Sequence, residues 1–151
     1  MKNLLISVLL FVGSCFASTA MTQDSMASDS KPFAEASIVL QLGDDDAETQ
    51  ARVINVANNL IKHYGGPDFI NLEIVAYGPG ISLLYADNAN AERVSSLLVN
   101  EVKFIACGNT VETITRKTGK KPELIAAAIP VKTGVAHMVE RAGQGYVLIR
   151  P

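Results

Sequence analysis

The chain has 151 residues, of which 48% are hydrophobic and 19% are charged. This balance is typical of a soluble globular protein with one domain-sized core, and it excludes an intrinsically disordered chain. The formal net charge of −2 provides no basic surface for nucleic acid or anionic lipid, so we expect no nucleic-acid partner.

The first twenty residues have the features of an export signal. Lys2 supplies a positive start, residues 4–11 are apolar but too short to span a membrane, and residues 18–20 (STA) form a small-residue cleavage site. The sequence therefore predicts a signal peptide over residues 1–20 and a periplasmic or secreted mature protein. A second interpretation uses residues 12–15 (VGSC), which resemble a lipoprotein box and would place a membrane-anchoring lipid on Cys15.

The chain contains two cysteines, Cys15 and Cys107. Because Cys15 lies in the predicted signal, Cys107 becomes the single thiol of the mature chain and no internal disulfide can form. An unpaired cysteine in an exported protein suggests a reactive thiol or an intermolecular bridge. The alternative is a buried cysteine that packs as a small hydrophobic residue.

Beyond the signal, residues 21–35 are polar and without periodicity, which predicts a flexible leader. Residues 36–151 then alternate strands with helices. The predicted strands lie at 37–42, at 72–77, at 102–106, between 125 and 131, and at 146–149. The predicted helices cover about 47–64, 89–100, 110–118 and 134–142, while 81–85 is either a helical turn or a loop. This alternation predicts a three-layer α/β/α sandwich with a mostly parallel five-stranded sheet.

Cys107 follows the third predicted strand directly. In an open α/β sheet, that position lies in the crevice beyond the carboxyl ends of the strands, where ligands bind. Asn109 as N-cap and Glu112 three residues later have the spacing of a capping box, which predicts that the next helix begins at Thr110. Free N–H groups and the positive end of that helix would favour the reactive thiolate.

Other candidate sites are weaker. The aspartates of residues 44–46 have the ligand type for a hard cation, but an N-cap with an acidic first turn explains them better, because no other loop offers a partner set. His63 and His137 lack metal-ligand spacing, so we expect no metal and no cofactor. His137 could approach Cys107 and activate the thiol, or it could be an ordinary surface histidine.

The segment Gly78-Pro79-Gly80 would let a ligand approach the backbone closely. It lacks the glycine spacing of a dinucleotide or phosphate cradle, and turn geometry also accounts for it. Gly78 and Gly80 are therefore candidate ligand contacts with an alternative role in the turn.

Three segments resemble the DsrE/DsrF-like family, in particular its small single-domain exported members: residues 38–42 (IVLQL), 76–80 (AYGPG) and 104–110 (FIACGNT). The resemblance extends over about residues 37–151. It implies a three-layer α/β fold and a homo-oligomer, either a trimer or a hexamer. It also implies sulfur relay, in which Cys107 accepts sulfane sulfur as a persulfide and passes it on.

The resulting hypothesis is a periplasmic DsrE-like sulfur carrier or sulfurtransferase-type protein with an unidentified sulfur donor and acceptor. Cys107 is the predicted catalytic residue, and Gly108 is expected to leave room for a bulky donor. The predicted substrate contacts are Gly108, Asn109, Thr110, Gly78 and Gly80. Two alternatives are a non-catalytic oligomeric small-molecule-binding module with Cys107 lining its pocket, and a flavin-binding relative of flavodoxin.

Overall fold

The computed structural model describes residues 31–151. The predicted signal peptide, Cys15 and the leader up to residue 30 lie outside the described residues. The strands are β1 (Ala36–Leu42), β2 (Ile70–Ala76), β3 (Lys103–Cys107), β4 (Ile129–Val131) and β5 (Val147–Ile149). The α-helices are α1 (Ala47–His63), α2 (Ala91–Val99), α3 (Gly108–Thr118) and α4 (Gly134–Gly143), and two 3₁₀ helices cover Pro67–Phe69 and Gly78–Leu84.

The strands form one five-stranded sheet in the order β4-β3-β2-β1-β5. Every neighbouring pair is parallel. In the centre of the sheet, Val75 of β2 pairs with Gln41 of β1 on one side and with Ile105 of β3 on the other. All carboxyl ends therefore lie at the same edge, as the alternation of elements predicts.

Helices cover both faces of the sheet. The larger core cluster joins alternate strand residues such as Leu40, Ile74 and Phe104 to α1, α2 and α3. The residues between them in sequence, Val39, Val75 and Ile105, point the other way and pack with Met138 of α4 and Tyr146. The first three crossovers each move one strand along the sheet, whereas α4 returns across it from β4 to β5. The predicted three-layer sandwich is confirmed.

The acidic loop after β1 caps α1. Asp46 is the N-cap residue, and its Oδ1 accepts a hydrogen bond from the Thr49 N–H at 2.8 Å. This bond holds the pKa of Asp46 below its usual value. Asp44 forms an exposed ion pair with Arg150 at 3.0 Å. The N-cap interpretation of residues 44–46 is therefore the one that the structure supports.

The predicted start of α3 is wrong. The helix begins at Gly108, Cys107 is its N-cap residue, and no side chain caps it. The strand runs directly into the helix, so Asn109 lies inside the first turn, and the predicted capping box does not form. The Asn109 side chain donates instead to Thr133 Oγ1 at 3.1 Å, and its N–H donates to the carbonyl of Lys132 at 3.1 Å.

The last five residues of the predicted leader contact the domain. The Lys31 N–H donates to Asn71 Oδ1 at 3.0 Å, and its ammonium group lies 2.9 Å from the Glu101 carboxylate. The Glu35 N–H donates to the carbonyl of Phe69 at 2.8 Å. Backbone and side-chain bonds therefore hold residues 31–35 beside β2.

Only a small apolar surface of α4 packs against the sheet. Its buried residues are Gly134 and Met138, whereas Val135 and Val139 are 53% and 65% exposed. Burial of one methionine side chain contributes about 1.5–3 kcal/mol, and a helix of ten residues is too short to be stable alone. Polar contacts must therefore contribute to the attachment of α4. Between residues 31 and 151, no helix is both long and apolar enough to cross a membrane.

Candidate functional site

Cys107 lies where the sheet changes the direction of its connections. It is the last residue of β3, from which the chain continues into α3 on the face that also carries α1 and α2. From the neighbouring strand β4 the chain continues into α4 on the opposite face. Adjacent strands whose connections leave to opposite faces open a crevice at their carboxyl ends, the usual ligand position in open α/β sheets. The predicted placement of the cysteine at this edge is confirmed.

Two helix N-termini meet at the sulfur. Cys107 is 5% exposed, and its Sγ accepts a hydrogen bond from the Gly134 N–H of α4 at 3.2 Å. Burial raises the pKa of the thiol, but the hydrogen bond from the Gly134 N–H and the polar groups of Thr110 and Asn109 in the first turn of α3 lower the pKa by more. The pKa of Cys107 therefore lies below its usual value. The thiolate is stabilised by neutral hydrogen-bond donors and by the positive ends of two helices.

Gly134 permits this approach because it has no side chain. A Cβ at this position would lie 3.2 Å from both Cys107 Cβ and Val75 Cγ1, and 3.6 Å from the sulfur. The two distances of 3.2 Å are tighter than most Cβ contacts, so a side chain would push the end of α4 away. The close contact between α4 and the thiol thus depends on a glycine.

Three of the predicted binding residues surround the thiol at the sheet edge. Thr110 Oγ1 accepts a hydrogen bond from the Gly78 N–H at 2.9 Å, which ties the turn after β2 to the first turn of α3. Asn109 is exposed and bonds to Thr133 across the crevice. The structure thus brings Gly78, Asn109 and Thr110 to the same edge as Cys107.

Gly108 and Gly80 are packed against backbone. A Cβ on Gly108 would lie 2.8 Å from the Val131 carbonyl oxygen, and one on Gly80 would lie 2.7 Å from the Leu42 carbonyl carbon. The room for a bulky donor that the sequence predicts at Gly108 is therefore occupied by the backbone at the end of β4. The absence of a side chain at both positions is explained by close packing of the chain on itself.

His137 contacts a buried carboxylate that the sequence reading overlooked. Its Nε2 lies 2.7 Å from Glu73 Oε2. Arg141 also contacts this carboxylate, with Nη2 at 2.7 Å from Oε1 and Nε at 3.2 Å from Oε2. The Oε1 contact is an ion pair without hydrogen-bond alignment. The Glu73 side chain is 1% exposed. The predicted approach of His137 to Cys107 is thus replaced by a contact with Glu73.

Two features of the sequence indicate this cluster of Glu73, His137 and Arg141. Glu73 stands inside the otherwise apolar run of the predicted strand at 72–77, and a carboxylate that is buried there requires a partner. His137 and Arg141 are four residues apart on one helix, which places them on the same face. His63, by contrast, ends α1 and stacks edge-on against Tyr64. Within residues 31–151, no group of three or more metal-ligating side chains comes together.

Among the cavities that residues 31–151 form, three adjoin α3. The largest, of about 850 Å³, has apolar walls that include Val111, Leu124 and Ile125. A second, of about 560 Å³, is lined by Gly78, Asn109 and Thr110 among others, and a third of about 660 Å³ adjoins the end of the helix. Cys107 does not line any of the three. The cavity of about 560 Å³ therefore shares Gly78, Asn109 and Thr110 with the sheet edge that carries the thiol, and the largest cavity is lined by the two chain neighbours of Cys107, Ala106 and Gly108.

The lowered pKa of Cys107 predicts a pH-dependent stability difference. A thiol whose pKa is lower in the folded state than in the unfolded state stabilises the fold. This contribution is fully present once the pH exceeds the pKa of the unfolded state, and it is lost as the pH falls through the pKa of the folded state. We expect wild type to gain melting temperature relative to Cys107→Ser as the pH rises through that window. Melting curves of both proteins from acidic to alkaline pH test this, and a constant difference would contradict it.

The fold and this sheet edge define an α/β sandwich protein with one buried, hydrogen-bonded thiol at a topological switch point. Among solved structures, the chain is similar to the "Protein of Unknown Function MTH1491 from Methanobacterium thermoautotrophicum", with 30% sequence identity and a TM-score of 0.68. The match covers 78% of this chain and 100% of that one. The chain belongs to the same family as this protein. No protein-family model and no curated protein matches the chain.

Proposed function

We propose that this protein is a DsrE-like sulfur carrier or sulfurtransferase-type protein in which Cys107 holds sulfane sulfur as a persulfide. The observation that carries the proposal is the Gly134 N–H, which donates to the buried Sγ at 3.2 Å. Together with the first turn of α3, it lowers the pKa of the thiol despite burial. Because a thiolate is the nucleophile in sulfur chemistry, this environment prepares Cys107 for attack.

The transfer needs no external oxidant or reductant. The Cys107 thiolate attacks the outer sulfur of a sulfane donor such as thiosulfate. A bond forms between the two sulfurs, and the donor's own S–S bond breaks, so that sulfite leaves with the bonding electron pair. In the second step an acceptor thiolate attacks the outer sulfur of the persulfide, and the Cys107 thiolate leaves.

The surroundings of the sulfur suit an anionic donor. Both the attacking thiolate and the persulfide carry negative charge, and the N–H groups at the two helix N-termini stabilise such charge. In this proposal, Asn109, Thr110 and Gly78 line the approach to the thiol, whereas Gly108 and Gly80 shape it through packing.

The remaining parts of the proposal follow from the sequence. A signal peptide over residues 1–20 would deliver the protein to the periplasm or outside the cell, and lipidation of Cys15 is the alternative. The DsrE/DsrF-like resemblance implies a homo-oligomer, either a trimer or a hexamer. The sulfur donor and acceptor are the partners to be identified.

Intact mass measurement tests the proposal. After incubation with thiosulfate or polysulfide, we expect wild type to gain the mass of one sulfur atom and to lose it with dithiothreitol. Cys107→Ser is expected to gain none. A wild type that gains no sulfur, or a Cys107→Ser variant that gains as much, would overturn the carrier role.

A second candidate is a non-catalytic small-molecule-binding module. The cavity of about 850 Å³ beside α3 favours it, because its apolar walls suit a ligand. Ala106 and Gly108, the two chain neighbours of Cys107, line that cavity. This candidate predicts that Cys107→Ser retains ligand binding and that iodoacetamide labels the wild-type thiol with the pH profile of a free cysteine.

A further inference from the structure

A second group of charged side chains lies buried between α4 and the sheet, and the proposed sulfur chemistry does not use it. It consists of Glu73, His137 and Arg141, and we call it the Glu73 cluster. Glu73 lies on β2 and pairs in register with Lys103, four residues before Cys107 on β3. At about 3.3 Å per residue, this places Glu73 about 13 Å along the strands from the thiol. The carboxylate therefore does not touch the sulfur, and any effect on it must pass through another element.

That element is α4. Gly134, His137 and Arg141 follow one another at spacings of three and four residues, so they lie along one face of the helix. With a rise of about 1.5 Å per residue, Gly134 lies about 4.5 Å from His137 and about 10.5 Å from Arg141 along the axis. A hydrogen-bonded helix is stiff over this length. The contacts of Glu73 with His137 and Arg141 therefore fix where the Gly134 N–H lies.

The attachment of α4 to the sheet does not by itself require the charged side chains of the Glu73 cluster. Replacing a buried ion pair with apolar residues is often neutral or stabilising, so such pairs are weak evidence for stability. Apolar side chains are available on α4, yet Val135 and Val139 face outward at 53% and 65% exposure. The contacts of the carboxylate instead fix the orientation of α4. They join it at 2.7 Å to two residues one turn apart and so restrict both rotation and sliding of the helix.

We propose that the Glu73 cluster is a positioning device that holds the Gly134 N–H against Cys107 Sγ and thereby sets the reactivity of the thiol. The inference rests on the proposed role of Cys107 as a reactive thiol. Glu73 acts as a positioning residue through α4. The groups that stabilise the thiolate are the neutral donors of Gly134, Thr110 and Asn109, so displacement of Gly134 removes the largest of these contributions.

The test is a titration of the thiolate by its ultraviolet absorbance, with the Cys107→Ser spectrum subtracted. Glu73→Gln keeps the size of the side chain and removes its charge. We expect the thiol pKa to rise by about one unit, so that the thiolate population below the pKa falls about tenfold, the scale of one hydrogen bond to a charged group. His137→Leu leaves the Arg141 ion pair in place and is expected to give a smaller rise.

Two controls separate positioning from general destabilisation. Val139→Ala changes an exposed residue of α4, and Val53→Ala weakens the core on the opposite face, where α1 packs; both are expected to keep the wild-type thiol pKa. The proposal is overturned if Glu73→Gln and His137→Leu have the wild-type thiol pKa, or if Val53→Ala raises the thiol pKa as much as Glu73→Gln does.

The sulfur-uptake measurement distinguishes this inference from the proposed function. A wild type that takes up no sulfur, combined with a raised thiol pKa in Glu73→Gln, refutes the carrier role and supports the positioning role. Equal thiol titrations in wild type and Glu73→Gln, combined with normal sulfur uptake by both, refute the positioning role and support the carrier.

Discussion

Replacing Arg141 with methionine is expected to lower the free energy of unfolding by about 3–5 kcal/mol, the cost of breaking one side of a buried ion pair. The reason is an asymmetry in exposure. The Glu73 side chain is 1% exposed and cannot turn toward water, whereas those of His137 and Arg141 are 14% and 17% exposed at the helix surface. Loss of Arg141 therefore leaves a charge buried, and urea unfolding followed by circular dichroism measures the loss.

The double variant Glu73→Met/Arg141→Met provides the matched comparison. It removes both charges, so it is expected to recover most of the stability that Arg141→Met loses. Arg52→Met serves as a surface control, since Arg52 forms an exposed pair with Glu48 at 3.2 Å and its loss should change the free energy by about 0.5 kcal/mol or less. An Arg141→Met variant as stable as Arg52→Met would show that the Glu73 carboxylate does not depend on its arginine.

Gly80→Ala is expected to destabilise the protein by about 1–3 kcal/mol or more, the usual cost of overpacking. Its Cβ would lie 2.7 Å from the Leu42 carbonyl carbon and 2.9 Å from Leu42 Cγ. Backbone at the end of β1 cannot yield as the tip of a flexible side chain does, so the 3₁₀ helix over Gly78–Leu84 must move. Thermal and urea unfolding measure the effect.

Gly143→Ala is the control for the change of residue type. Gly143 is the last residue of α4, and a Cβ there meets nothing within 4 Å. We expect this variant to be neutral or more stable by about 0.5–1 kcal/mol, because alanine favours a helix. If Gly80→Ala were as stable as wild type but bound sulfur donors poorly, Gly80 would be a ligand contact as the sequence predicts. Its proposed role in packing would then be wrong.

Local patterns in the sequence were sufficient for the elements of the fold. The helix pattern and the acidic N-cap predict α1 correctly, and the apolar runs predict β1 and β2 within one or two residues. The alternation of strands and helices predicts a parallel three-layer sandwich, since parallel strands require crossover helices. The position of Cys107 at a strand end also follows from this local reading, because a strand, a cysteine and a helix succeed one another without interruption.

The start of α3 shows where a local pattern competes with a tertiary contact. Asn109 and Glu112 have the spacing of a capping box, but Asn109 bonds to Lys132 and Thr133 from the segment before α4. A partner more than twenty residues away in sequence is invisible to a pattern that spans four residues. For the same reason, the packing of Gly108 against Val131 could not be predicted.

By itself, the sequence determined the class of fold and the position of the Cys107 thiol at the carboxyl edge of the sheet. Only the tertiary structure decided what surrounds that thiol. The route of α4 across the far face places Gly134 on Cys107 and pairs His137 with Glu73 rather than with the sulfur. Periodicity specifies which residues share a face of one element, whereas contacts between elements distant in sequence depend on how the whole chain packs.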